Sequence, residues 1–207
     1  MKSNNNGRAK PRPMKNNGKR MPRRLPEVLT EEEQSRLLAV LEGDDPSSTR
    51  DRAILRLFLD TGLRASELIN LRHQNIDLET GRLWVRNGKG GKDRGLFFNG
   101  SVRTALQAWL QIKPSGNSLV FTSLDGQKPI CGRWLRKMVP RLAAQAGIDK
   151  RVHPHTLRHT FATTLLRQEK NLFLVSKALG HANLSTTQIY LHLEDSELEA
   201  AMKRLGG

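Results

Sequence analysis

From Thr30 onward the apolar residues of this 207-residue chain recur mainly at the 3.6-residue spacing of a helix, and the clearest change to alternation falls between Gly81 and Asn99. A chain patterned this way builds helices around one small sheet. Thr30 followed three residues later by Glu33, ahead of Leu37, Leu38, Val40 and Leu41, reads as a capping box opening an amphipathic helix that Gly43 ends. Residues 50–61 carry Ala53, Ile54, Leu57, Phe58 and Leu59 at helical spacing with Gly62 as the cap, and a short helix over 65–71 follows. Leu83-Trp84-Val85 and Gly95-Leu96-Phe97-Phe98 flank a glycine-rich tip, which is a hairpin pattern. Helix returns over 101–112, Leu119-Val120-Phe121 reads as another short strand, and helices follow over 133–145, 155–168, 172–179, 185–192 and 195–205. The expected class is mainly α with a small antiparallel β-sheet.

Residues 1–26 depart from that pattern. Nine basic residues, among them Arg8, Arg12, Lys19, Arg20, Arg23 and Arg24, stand among Asn, Gly and Pro with no acidic residue, so the segment is expected to be a disordered arm. It carries +9 of the formal +15, leaving +6 on residues 27–207. A basic arm on a basic domain points to a polyanion, most economically nucleic acid, because each neutralised phosphate releases counterions. No apolar run approaches the roughly 18–20 residues that cross a bilayer. The first residues lack the apolar stretch of a secretory signal. The expectation is therefore a soluble, cytoplasmic, nucleoid-associated protein with no membrane partner. Its single cysteine, Cys131, excludes an internal disulfide and a zinc site built on paired cysteines.

Four segments carry candidate chemistry. Gly88-Lys89-Gly90-Gly91-Lys92-Asp93 is no phosphate-binding P-loop, since Lys92 precedes Asp93 rather than a hydroxyl and the tip joins two strands. It can instead offer two ammonium groups to a nucleic-acid backbone, or be an ordinary solvated turn. His153-Pro154-His155-Thr156-Leu157-Arg158-His159 places His155 and Arg158 three apart at a helix start, the spacing for two groups converging on one phosphoryl centre. A metal site is the competing reading, weakened by the absence of nearby carboxylates and by the cations beside it. Arg64 follows the helix-ending Gly62, with Glu67 on the same short helix able to pair with a cation or face the helix dipole. Finally, Tyr190, the only tyrosine, stands nine residues after His181.

Taken in order, TGLRASELINL, GKGGKDR, HPHTLRHTFATTLL and LGHANLSTTQIYLH resemble the catalytic domain of the tyrosine recombinases, the phage integrase family, over roughly residues 27–207. The resemblance implies the DNA breaking-rejoining fold and a site-specific DNA recombinase acting through a 3′-phosphotyrosyl intermediate, in integration, inversion or resolution. It implies that Arg64 and Arg158 clamp the scissile phosphate, that Lys89 is the general acid toward the 5′-hydroxyl, with Lys92 the alternative, and that His155 moves the proton of the nucleophile. His181 braces the phosphate, Tyr190 is the nucleophile, and Glu67 positions its neighbours. Neither cofactor nor metal is implied. The implied partners are double-stranded DNA, three further copies of the chain in a tetramer on DNA, with a monomer or weak oligomer free in solution, and accessory DNA-bending proteins. With only the arm ahead of residue 27, the chain is similar to short, catalytic-domain-only members such as the fimbrial-switch inversion recombinases. Residues 195–205 correspond to the terminal segment that docks in trans in this family, the alternative being a terminal helix packed on its own domain. The alternatives are a type IB topoisomerase and a non-catalytic DNA-binding regulator on the same fold.

Overall fold

The computed structural model describes residues 27–86, 93–180 and 187. Thr30 opens α1 (Glu31–Ala39) with the expected box: its hydroxyl accepts from the Glu33 N–H at 3.2 Å and the Glu33 carboxylate accepts from the Thr30 N–H at 2.8 Å. The helix stops at Val40, before Gly43, whose φ is not positive. Arg52 explains the early stop. Its guanidinium reaches back to the carbonyls of Leu41 and Gly43, satisfying the end of α1 from a neighbouring helix.

That neighbour, α2 (Pro46–Thr61), starts four residues earlier than its apolar periodicity indicates, because the Asp45 carboxylate accepts from the N–H groups of Ser47 and Ser48 at 3.0 Å and Pro46 fits the first turn. Ala53, Ile54, Leu55, Leu57 and Phe58 are fully buried, and α2 packs against both α4 (Gly100–Ile112) and α6 (Pro154–Glu169). It is the axis of the main core, which Trp109, Phe121, Leu106, Leu135 and Val139 complete. After α2 come α3 (Ala65–Ile69) and a single 3-10 turn, His73–Asn75.

The sheet has three antiparallel strands in the order β1 (Ile76–Asp77), β2 (Arg82–Val85), β3 (Arg94–Phe97). The hairpin expected between Gly81 and Asn99 is present, with Leu83 opposite Leu96 and Val85 opposite Arg94. Strand β1 is too short to show a period. In contrast, 119–121 is not a sheet strand: the Val120 N–H donates to Leu71 at 2.8 Å and its carbonyl accepts from the Trp109 indole at 2.8 Å, so one isolated bridge replaces a ladder. Helices α5 (Gly132–Gln145), α6 and α7 (Leu172–Leu179) follow within a residue or two of expectation, and Ala162, Leu166, Val175 and Leu179 form a second, smaller core between α6 and α7. Among the described residues no helix is long and apolar enough to cross a membrane. The expected arm (1–26) and, apart from residue 187, the helices over 185–192 and 195–205 lie outside the described residues.

Candidate active site

Two helix ends and one helix start meet at the site. Helix α2 terminates at Gly62 in the left-handed region (φ 62°), and a Cβ there would lie 2.3 Å from the Phe161 ring, so only glycine fits. Helix α7 terminates the same way at Gly180 (φ 62°), where a Cβ would lie 2.8 Å from Cδ of Arg94. Helix ends of this kind leave carbonyls without intrahelical donors and carry partial negative charge.

Guanidinium groups occupy those carbonyls. Arg158, 7% exposed, donates from Nη1 to the Gly62 carbonyl and from Nη2 to the Leu179 carbonyl at 2.7 Å, tying the end of α2 to the end of α7. Arg64 is the N-cap of α3 and donates from Nη2 to the Gly180 carbonyl at 3.4 Å and from Nη1 to Glu67 Oε1 at 2.8 Å. Arg94, at the start of β3, donates from Nη1 and Nη2 to Oε1 and Oε2 of Glu67, both at 2.8 Å, and from Nε to the Ala178 carbonyl at 3.3 Å. Glu67 also accepts the Arg64 backbone N–H at 2.8 Å. Burial by itself would raise the Glu67 carboxyl, but the fork to Arg94, the Arg64 N–H and the two positive charges outweigh it and hold the group down at about 2. The carboxylate is ionised throughout the neutral range. One carboxylate among three guanidiniums leaves a positive centre whose members are held before any ligand arrives.

At the start of α6 the same surroundings act the other way. His153 caps the helix, its Nδ1 accepting the Thr156 N–H at 3.2 Å. His155 is exposed beyond it, with its pKa lowered by lost hydration and then by His153, Arg158 and Arg64. His159, half-buried, is pushed down to about 4 by burial first and by His155, Arg158 and His153 after it. These three rings, with Glu27, Arg151 and Thr156, line a cleft of about 330 Å³. Among the described residues no group of three or more His, Cys, Asp and Glu side chains is placed to hold a metal ion.

Of the residues singled out in the sequence, Arg64, Glu67, His155 and Arg158 are thus brought together. Lys89, Lys92, His181, Tyr190 and the arm residues Arg8, Arg12, Lys19, Arg20, Arg23 and Arg24 lie outside the described residues. Arg94 was not singled out. Its signals are its position as the last residue of GKGGKDR and its register two residues before Leu96, which puts it on the inward face of β3, with 12% of its side chain exposed.

The arrangement suits an anion with several oxygens: guanidinium donors fixed in orientation, beside an imidazole kept able to accept a proton. The model of the phage integrase family matches residues 27–197. The chain belongs to the phage integrase family. Among its integrase-family relatives is tyrosine recombinase XerC of Salmonella typhi, 40% identical over 180 residues, a match covering 86% of this chain and 59% of that protein. The chain therefore spans about three-fifths of the length of that curated relative. Among solved structures, XerA recombinase superposes with a TM-score of 0.76 at 36% identity, covering 88% of this chain and 66% of that one. The XerH site-specific recombinase, in a post-cleavage complex with a palindromic difH substrate, gives 0.74 at 31% identity, covering 88% and 54%. The fold is that of tyrosine recombinase catalytic domains, mainly helical with one small antiparallel sheet.

Proposed function

We propose that this chain is a tyrosine-type site-specific DNA recombinase, an enzyme that cuts and rejoins double-stranded DNA through a covalent protein–DNA intermediate. The observation that carries the proposal is the juxtaposition of Arg64 and Arg158, both fixed on carbonyls at the α7 terminus, with His155, its pKa lowered by the same cations, one helical turn before Arg158. XerC, XerA and XerH, similar over most of this chain, are named recombinases, and XerH was solved with DNA.

In this reading the two guanidiniums take the non-bridging oxygens of the scissile phosphate. The Tyr190 oxygen attacks phosphorus, its proton passing to His155, and a phenol with a pKa near about 10 needs that help. The bond to the 5′-oxygen breaks, the electron pair leaves with that oxygen, and Lys89 or Lys92 protonates it. A 3′-phosphotyrosine and a 5′-hydroxyl result. Attack by the 5′-hydroxyl of another strand reverses the step, so the bond energy is conserved and no nucleotide triphosphate is consumed. His181 braces the phosphate. Phosphoryl transfer of this kind rests on positioning and charge neutralisation, and each donor removed costs on the order of 10²–10³ in rate.

Residues 27–207 form the catalytic unit, and the arm adds phosphate contacts without base information. Four copies assemble on two duplexes, the terminal segment over 195–205 docking on a neighbour, with DNA-bending proteins assisting at the nucleoid. The test is a pool of nicked duplexes randomised over the target length, in which the strand end released by cleavage diffuses away and traps the covalent species. A denaturation-resistant adduct with wild type and none with Tyr190→Phe is the expected result. An equal adduct from Tyr190→Phe, or none from either, would falsify the mechanism.

A further inference from the structure

Arg94 has no part in the chemistry just described, yet it is the residue most completely engaged with Glu67. Both of its terminal nitrogens meet the two carboxylate oxygens at 2.8 Å, in the parallel fork that makes arginine–carboxylate pairs strong and directional. Its Nε holds the Ala178 carbonyl at 3.3 Å, and its side chain lies across Gly180, where any Cβ would strike it. Only 12% of the Arg94 side chain and 7% of the Glu67 side chain are exposed, so solvent does not compensate for a lost partner. Arg64 shares the same carboxylate, through one guanidinium nitrogen and its own backbone N–H.

We propose that Arg94 is a positioning residue that keeps Arg64 available to the phosphate by taking up the charge of Glu67. This rests on the reading of Arg64 as a phosphate clamp. With Arg94 in place, Glu67 is shared between two cations and one positive charge remains over. Without it, Glu67 has Arg64 as its nearest cation, and the pair cancels the charge that the clamp needs and draws the second guanidinium nitrogen off the Gly180 carbonyl onto the carboxylate. The defect from losing Arg94 is therefore an unbalanced carboxylate, and neutralising that carboxylate repairs it.

The consequence is a double-variant experiment on single-turnover adduct formation, using a DNA sequence recovered from the randomised pool. Arg94→Ala lowers the rate by about 10²-fold, comparable to losing an electrostatic donor, and Arg94→Lys by about 10-fold because an ammonium cannot form the fork. Adding Glu67→Gln to Arg94→Ala raises the rate about 10-fold above Arg94→Ala alone, a coupling that two independent structural lesions do not produce. A second substrate carries a methylphosphonate at the scissile position, which removes the phosphate's negative charge and with it the demand for the clamp. On it Arg64→Ala and Arg94→Ala both fall within about 10-fold of wild type, while whichever of Lys89→Ala and Lys92→Ala is defective on the phosphodiester keeps its full defect, because the leaving oxygen is unchanged.

Equal losses by Arg94→Ala on both substrates, or a double variant no faster than Arg94→Ala, would overturn the proposal. If Arg64→Ala shows the same loss on the phosphodiester and the methylphosphonate, the clamp reading fails first and the proposal with it. Should Arg94→Ala melt below the assay temperature, Arg94→Gln, which keeps most of the side chain's bulk and a hydrogen-bond donor but no charge, carries the same comparison.

Discussion

Glu67 and the histidines of α6 lie beside arginines of one site, Arg64 facing both Glu67 and His155, and that positive charge favours the charged form of the one and the neutral form of the others. Glu67 is forked to Arg94, bonded to Arg64 and kept ionised with its pKa near 2. His155 and His159 sit beside Arg158, and lost hydration together with that positive charge lowers the pKa of both, His159 down to about 4. A positive centre stabilises an anion it can hydrogen-bond and discourages a second cation, so one field prepares both an oriented clamp and a proton acceptor. The lesson is that charge sign at this site is set by partners and burial more than by residue type.

The largest expected effect is at Arg158, which lies beside both histidines and ties the end of α2 to the end of α7. Arg158→Ala is expected to reduce adduct formation by at least 10²–10³-fold and, by orphaning the carbonyls of Gly62 and Leu179, to lower stability by about 2–4 kcal/mol in urea unfolding. Gly62→Ala tests the same junction from the backbone side. It forces a Cβ into Phe161 at positive φ and should cost about 2–3 kcal/mol with the urea slope unchanged, whereas Gly100→Ala, where a Cβ meets nothing within 4 Å, should be neutral or slightly stabilising.

Acid unfolding then separates the two charge states. A carboxyl held at about 2 in the fold and near its ordinary 4.5 when unfolded stabilises the protein above pH 4.5 and loses that contribution as pH falls toward 2. Glu67→Gln should therefore be less stable than wild type by on the order of 2 kcal/mol at neutral pH, with the gap closing in acid. His159 runs the other way. Its folded pKa near 4 lies below the ordinary 6.5, so the unfolded chain takes up the proton first and wild type loses stability as pH falls from 6.5 to about 4. His159→Gln removes that loss, and relative to wild type it should gain about 1 kcal/mol between pH 7 and pH 5 after allowance for solvent screening.

Local signals carried much of the architecture. The Thr30–Glu33 box, the glycine stop at Gly62, the proline start at Pro154 and the hairpin's alternation each depend on residues close in sequence, and each is found in the structure. The proximity of Arg64 to the α6 residues is different: it came from resemblance to a family, since nothing local relates Arg64 to residue 158. What could not be read depends on distant partners. The Arg52 tie that makes Gly43 unnecessary as a cap, the Trp109 indole that takes the Val120 carbonyl from a ladder, and the Arg94 fork to Glu67 across 27 residues all require the fold first.

The most direct test of the mechanism is where the DNA ends up on the protein. Adduct trapped on nicked DNA is digested with nuclease and trypsin and read by mass spectrometry. The account predicts a phosphonucleotide on the tryptic peptide spanning residues 178–203, with fragmentation placing it on Tyr190 and a 5′-hydroxyl on the released strand. A nucleotide mapped to any other residue, or a 5′-phosphate on the released strand, would contradict it.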